Sequence, residues 1–221
     1  MTASLQGRPC GGRSSLGAMG TLEYHEALWQ GLPAGLQPPD FATRRRFLLA
    51  HVSAGERVLD VGCGEGSFAA ALLAAGAEVL AVDVAEEPLR RARARHPGLE
   101  LRLIDGEGRW ALEDASFDVV WAGEVIEHVA DTAAWLSEAR RVLRSGGQLL
   151  LSTPDHGIRT RLRLMLSGRA FDAHFDPRAD HLRFYTRATL RALIREFGFD
   201  AVDVRPVAGR VLLARAVRAR F

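Results

Sequence analysis

The apolar positions of the chain change period at Arg57. From there to Ser152, short apolar runs read as strands at Arg57–Val61, Glu78–Val82, Leu99–Ile104, Phe117–Trp121 and Gln148–Ser152. Segments of helical spacing fall between them at Gly66–Ala75, Pro88–Arg95 and Ala133–Leu143, the last stopped by Gly146-Gly147. This alternation predicts an α/β, doubly wound and mostly parallel sheet with helices on both faces. Ligands of such sheets bind outside the carboxyl ends of the strands, where strand order reverses. Upstream, Leu22–Gly31 and Ala42–Val52 have helical spacing and are separated by the turn-rich PAGLQPPD. Downstream the rhythm breaks. Residues 155–185, containing RTRLRLMLSGR, make a connection too long for a plain loop and are expected to form a lid or substrate element. A helix at Thr186–Phe197 then ends at Gly198, and Ala201–Val204 with Val211–Val217 reads as a closing hairpin.

The first strand runs into VLDVGCGEGSF, residues 58–68. A dinucleotide fingerprint requires Gly-x-Gly-x-x-Gly. Gly62 and Gly64 fit it, but the third position is Ser67 and the extra glycine is Gly66. A triphosphate loop needs Lys-Ser/Thr after its glycines, and the chain has no lysine. Glu65 stands near the helix N-terminus that would otherwise welcome a pyrophosphate, and Asp60 adds an acid on the strand before. The loop therefore suits a ligand that is not an anion. Asp83 closes the next strand, where an acid accepts from ribose hydroxyls in doubly wound folds. Asp105 closes the third strand and is placed to accept from an adenine amino group. Together they suit an adenosine that carries a positive charge.

Length and composition sharpen this only in part. At 221 residues with 48% apolar content the chain suffices for one α/β domain. Residues 1–20, rich in Gly, Ser and Arg and without an acid, read as a disordered tail, or as translated sequence ahead of a start at Met19. The domain then spans 21–221, with cap helices in 21–52 and the lid insertion at 155–185. Cys10 and Cys63 lie far apart, so no disulfide framework is expected and a cytoplasmic location follows. No apolar run is long enough to cross a membrane. The formal charge of +2 is unevenly spread: residues 1–158 hold 15 Arg against 21 acids, and residues 159–221 hold 14 Arg against 6.

VLDVGCGEGSF, AVDV, LIDGEG, SFDVVWAGEVIEHV, RVLRSGGQLLLSTP and HLRFYTRATLRALIREFGF, in that order, resemble the motifs of the class I S-adenosylmethionine-dependent methyltransferases. The likeness covers roughly residues 40–215 and is nearest to the group that contains the quinone-biosynthesis O-methyltransferases. It implies a Rossmann-like sheet of seven strands with the last antiparallel. It also implies a cofactor pocket in which Gly62, Gly64 and Gly66 approach the methionine portion, Asp83 the ribose, and Asp105 with Gly106 the adenine. Asp60 serves the cofactor or the loop itself. Glu124 would lie near the methyl donor, and Tyr24 would close over it from the N-terminal helices.

In GEVIEHV a helical turn would put Glu124, Glu127 and His128 on one face, a donor set that suits magnesium. The same Glu-x-x-Glu-His pattern is similar to that of the quinone O-methyltransferases and of RNA 3′-terminal ribose 2′-O-methyltransferases, where it implies metal binding with a later histidine, here matched by His181. Metal-free relatives use Glu-His to position substrate, and the metal-free reading is the one preferred. His156 and His174 read as loop histidines.

The activity expected is therefore methyl transfer from S-adenosylmethionine to a small-molecule acceptor, O-methylation first, giving S-adenosylhomocysteine. His128 and Glu124 are the catalytic candidates. An RNA ribose 2′-O-methyltransferase, a nicotinamide oxidoreductase and a catalytically silent binding module are the alternatives, and nucleic acid is disfavoured because no basic patch interleaved with aromatics appears. Arg159, Arg161, Arg163 and Arg169 alternate with Leu162, Leu164, Met165 and Leu166, which predicts a helix with one cationic and one apolar side. Such a lid would receive an anionic or amphipathic acceptor.

Overall fold

The chain orders seven strands as β3-β2-β1-β4-β5-β7-β6 in a computed structural model that describes residues 21–106, 108–176 and 180–220. The tail at 1–20, with Cys10 and Met19, lies outside the described residues. In chain order the elements are α1 (Thr21–Gly31), α2 (Phe41–Leu49), β1 (Arg57–Val61), α3 (Ser67–Ala74), β2 (Glu78–Asp83), α4 (Glu86–Arg95), β3 (Glu100–Leu103) and β4 (Phe117–Gly123). There follow α5 (Thr132–Val142), β5 (Leu143–Pro154), α6 (Ile158–Leu166), α7 (Gly168–His174), α8 (Arg187–Glu196), β6 (Phe199–Val207) and β7 (Val211–Arg218). β1 pairs in parallel with β2 and β4, β2 with β3, and β4 with β5. β7 is antiparallel to both β5 and β6, as the closing hairpin requires.

The strands are apolar on both faces because helices cover both. From β1, Leu59 and Val61 enter a core with Val120, Leu136 and Leu151, while Val58 enters a second with Leu48, Phe68 and Trp121. The helix starts have local causes. Asp131 caps α5 by accepting from Ala134 N at 2.9 Å, and Thr186 with Thr189 forms a capping box on α8.

Several element ends shift by a few residues from expectation. β5 begins at Leu143, not Gln148, because the stretch through Gly146 (φ +78°) forms an irregularity between the pairs Phe117–Leu143 and Val119–Gln148. The 155–185 connection carries two helices, α6 and α7, which pack on each other.

Strand order reverses between β1 and β4, since β2 and β3 lie on one side and β5 on the other. The carboxyl ends of these two strands, at Val61 and Gly123, therefore diverge around a crevice.

Candidate functional site

β1 leaves the sheet at Val61 and turns through Gly62, Gly64 and Gly66, all left-handed with φ of +69°, +54° and +78°. A Cβ on Gly62 would lie 2.5 Å from Val125 Cγ2, and one on Gly64 would lie 3.0 Å from the Trp29 ring of α1. Conformation and space thus both demand glycine. Asp83, at the end of β2, holds the turn from the side: its Oδ2 accepts from Gly64 N at 2.9 Å and its Oδ1 from Ala85 N at 3.1 Å. Burial raises its pKa, opposed by these backbone N–H groups.

Above the loop opens a cavity of about 970 Å³ at the carboxyl ends of β1, β2 and β4. Gly62, Asp83, Asp105, Gly106, Glu124 and His128 all line it, although up to 66 residues separate Gly62 from His128 along the chain. Gly64 lies under Trp29 and Gly66 against Leu99, so neither lines this cavity. Asp60 does not line it either. Its side chain sits on the opposite face of the sheet, bonded to the backbone of Ala69 in α3, and burial followed by the charge of Asp83 raises its pKa to about 7. The α1 helix covers the opening, but through His25, Leu28 and Trp29. Tyr24 instead packs edge-on against His25. Trp110 and Trp135, in edge contact at 5.8 Å, form the far wall.

Glu65 does not repel anions from the loop. Its buried carboxylate is paired with Arg95 at 2.8 Å and Arg91 at 3.3 Å, and both oxygens accept from Gly35 N. The charge is spent tying the α1–α2 connection to α4. The lining itself contains Glu23, Asp83, Asp105, Glu124, Asp131 and Asp180 and no arginine among the described residues, a charge distribution unfavourable to a polyanion.

After β4 the chain does not form the helical turn expected for GEVIEHV. Glu124 is left-handed (φ +60°), its N donates to Ser152 O, and its carboxylate accepts from Ser152 Oγ at 3.1 Å. Glu124 is thereby separated from Glu127, which is wholly buried with Oε2 accepting from Thr153 Oγ1 at 2.9 Å and Oε1 without a partner among the described residues. Burial raises both pKa values, that of Glu127 further because Glu124 is near. The counter-charge is Arg44 of α2, buried, donating to Pro39 O at 3.0 Å and lying over the Phe68 ring. Glu124, Glu127 and Asp60 act on it electrostatically, in that order. Gly123 makes this possible, since a Cβ there would lie 2.4 Å from an Arg44 nitrogen. Nothing in the run TRRRF singles out this arginine.

His128 Nδ1 meets Asp180 O at 3.0 Å, and its ring packs on His181 at 4.8 Å. Burial lowers its pKa, opposed by the charge of Asp180. Glu127, His128 and His181 bring one carboxylate oxygen and two ring nitrogens within 4.8 Å of one another. This replaces the Glu124–Glu127–His128 set read from the sequence, because the turn points Glu124 to Ser152. Of the described residues in 155–185, only Asp180 lines the cavity. Arg159, Arg161 and Arg163 do not reach it, and α6 stands instead by the β6–β7 turn, where Arg159 crowds Gly209. His156 and His174 are not simple loop histidines: they pack at 5.0 Å with Phe184 against both.

Residues 37–204 match the family described as "Methyltransferase domain". A Mycolicibacterium smegmatis protein named a "probable S-adenosylmethionine-dependent methyltransferase" is 39% identical over 159 residues, which is 70% of this chain but only 56% of the relative's length. A ubiquinone biosynthesis O-methyltransferase of Methylococcus capsulatus is 30% identical over 190 residues, 80% of each chain. Among solved structures, an S-adenosylmethionine-dependent methyltransferase from Mesorhizobium loti superposes with a TM-score of 0.64 at 20% identity, covering 86% of this chain and all of that one, which shows the shared fold.

Proposed function

Because this chain belongs to the class I S-adenosylmethionine-dependent methyltransferase family, we propose that it methylates a hydroxyl of a small, uncharged or amphipathic acceptor. The observation that carries this reading is one cavity in which Gly62, Asp83 and Glu124 stand beside His128. Bound S-adenosylmethionine supplies a methyl group on a sulfonium and leaves as S-adenosylhomocysteine. The residues present fit it: a cavity lined by acids and by no arginine among the described residues favours a cationic ligand, and the glycine turn admits close approach to the backbone.

Asp83 still has lone pairs beyond its two backbone bonds, and these take the ribose hydroxyls. Asp105 and Gly106, with Val84, Ile104 and Trp110, flank the adenine. Glu124, oriented by Ser152, faces the methionine end, while Asp60, Gly64 and Gly66 support the loop from below. His128, with Nδ1–H donated to Asp180 O, presents Nε2 as the base that takes the hydroxyl proton. Holding the nucleophile in line supplies most of the rest. Cytoplasmic residence is consistent with Cys63 being a buried free thiol.

Asp83→Ala is expected to weaken S-adenosylhomocysteine binding by about 1–3 kcal/mol, measured by calorimetry below the variant's own Tm, which the loss of the two backbone bonds should lower. Unaltered affinity would place the adenosine elsewhere. The reaction itself is tested by screening phenolic acceptors for S-adenosylhomocysteine release, with and without EDTA. One carboxylate and two imidazoles make a softer set than the oxygen shell magnesium prefers and would suit zinc or iron(II) better; with His128 acting as the base without an ion, the expected rate is the same in both arms. Loss in EDTA restored by magnesium, manganese or zinc would move the role of His128 to an ion held by Glu127, His128 and His181.

A further inference from the structure

Helix α1 lies over the cavity in an orientation that two residues fix. Glu26 Oε2 accepts from Glu86 N at 2.8 Å and from Glu87 N at 3.0 Å, and so caps α4, whose own N-cap, Ala85, has no side chain to do so. Arg91 of α4 donates to Trp29 O at 2.9 Å and to Leu32 O at 3.0 Å. With one side of α1 held to α4, another face lines the cavity: Leu22, His25, Leu28 and Trp29, with Leu32 just past the helix. Their spacing of i, i+3, i+6, i+7 and i+10 is that of a single helical stripe. Four of the five are apolar, and His25 is the polar interruption.

This imidazole belongs to the His128 end of the cavity. Burial lowers the pKa of His25, opposed by the charge of Asp180, and His25 in turn acts on His128, after burial and Asp180. Its neighbour Glu26 is turned the other way, to α4, and acts on Asp83. The ring of His25 meets Tyr24 edge-on at 5.6 Å but makes no hydrogen bond among the described residues. Neither ring nitrogen is sealed in the core. A neutral imidazole has one N–H to donate and one lone pair to accept with, and in a half-buried apolar wall both call for partners.

We propose that His25 is an acceptor-binding residue, whose imidazole hydrogen-bonds a second polar group of the acceptor beside the hydroxyl that His128 deprotonates. The inference rests on the reading of His128 as the base of this cavity. The adenosine residues Asp83, Asp105 and Gly106 follow β2 and β3, on the side to which Glu26 turns, so the cofactor does not claim His25. A neutral ring selects a hydroxyl, carbonyl or amide. A carboxylate at the same place would meet the like charge of Asp180.

The probes are phenol, its dihydroxy derivatives catechol, resorcinol and hydroquinone, and salicylate, titrated by calorimetry into the full chain loaded with S-adenosylhomocysteine. One diphenol is expected to bind about ten-fold more tightly than phenol, and salicylate no more tightly than phenol. His25→Leu keeps the apolar wall and should bring that diphenol to within roughly two-fold of phenol. His25→Gln, whose amide still donates and accepts, should keep part of the preference. In turnover of the same diphenol, His25→Leu should raise KM about ten-fold and lower kcat far less, the reverse of His128→Ala. A diphenol preference that survives His25→Leu overturns the proposal, and so does an unaltered protein that shows no preference among the probes. An equal loss of S-adenosylhomocysteine affinity in His25→Leu overturns it as well, by placing the imidazole against the cofactor. Failure of the O-methylation reading looks different: the His25-dependent preference in binding is then present, while no probe yields S-adenosylhomocysteine from S-adenosylmethionine.

Discussion

His128→Ala is expected to lower kcat by about 10²–10⁴-fold while leaving S-adenosylhomocysteine affinity close to that of the unaltered protein. The side chain reaches the cavity from the turn after β4, where a bond from Nδ1 to Asp180 O fixes the ring. Burial lowers its pKa, and so at neutral pH the imidazole is neutral and able to take a proton. The sign of the pH dependence follows. A base that is active when deprotonated gives a rate that is flat around neutrality and falls in acid, with its midpoint below the ordinary imidazole value. In His128→Ala that acid limb should disappear along with the rate. His128→Gln separates chemistry from architecture, because its amide donates to Asp180 O but takes no proton. A Gln variant with near-normal kcat would show that the imidazole only positions its neighbours.

The second large effect is on stability. Arg44→Met is expected to destabilise the fold by about 3–5 kcal/mol, read as a loss of Tm and of denaturant midpoint. Arg44 is buried beside Asp60, Glu127 and the cavity-lining Glu124, and removing it leaves the two buried carboxylates, Asp60 and Glu127, without their cation. Their response gives the prediction a signature. Each already has its pKa raised by burial, Asp60 to about 7, and without the guanidinium each rises further. An acid whose folded pKa exceeds its unfolded value holds more protons folded, so stability falls as pH climbs between the two values. The variant should therefore be least deficient in mild acid and most deficient above neutrality. A cavity alone would give a loss independent of pH. Arg44→Lys keeps the charge but not the fork of donors, and should recover part of the alkaline deficit.

The strands, the helices between them and the glycine turn were legible in the residues because each is a local matter. Residues alternating in period two or three to four declare which face is apolar, and a run such as VLDVGCGEG has few backbone paths open to it other than a strand breaking into left-handed turns. Asp83 was legible for the same reason: it ends a strand next to a loop whose N–H groups need an acceptor. Local pattern cannot say what covers a face or where a charge goes. Glu65 looked like a guard against phosphate until Arg91 and Arg95, some thirty residues on, were seen to neutralise it. Asp60 lies on the same strand as the cavity-lining Val61 but points through the sheet to α3, since adjacent side chains on a strand take opposite faces. Arg44 is one of three consecutive arginines, and only the packing of α2 under Gly123 buries that one. The expected helical face of Glu124, Glu127 and His128 gave way to a turn because Ser152 and Thr153, on the neighbouring strand, offer each glutamate its own hydroxyl. The amphipathic character of α6 was plain in RTRLRLML, yet its apolar side could equally have faced inward. Tertiary structure decided that question, because docking Thr160 and Leu164 against the body leaves the stripe of Ile158, Leu162, Met165 and Leu166 turned to the outside.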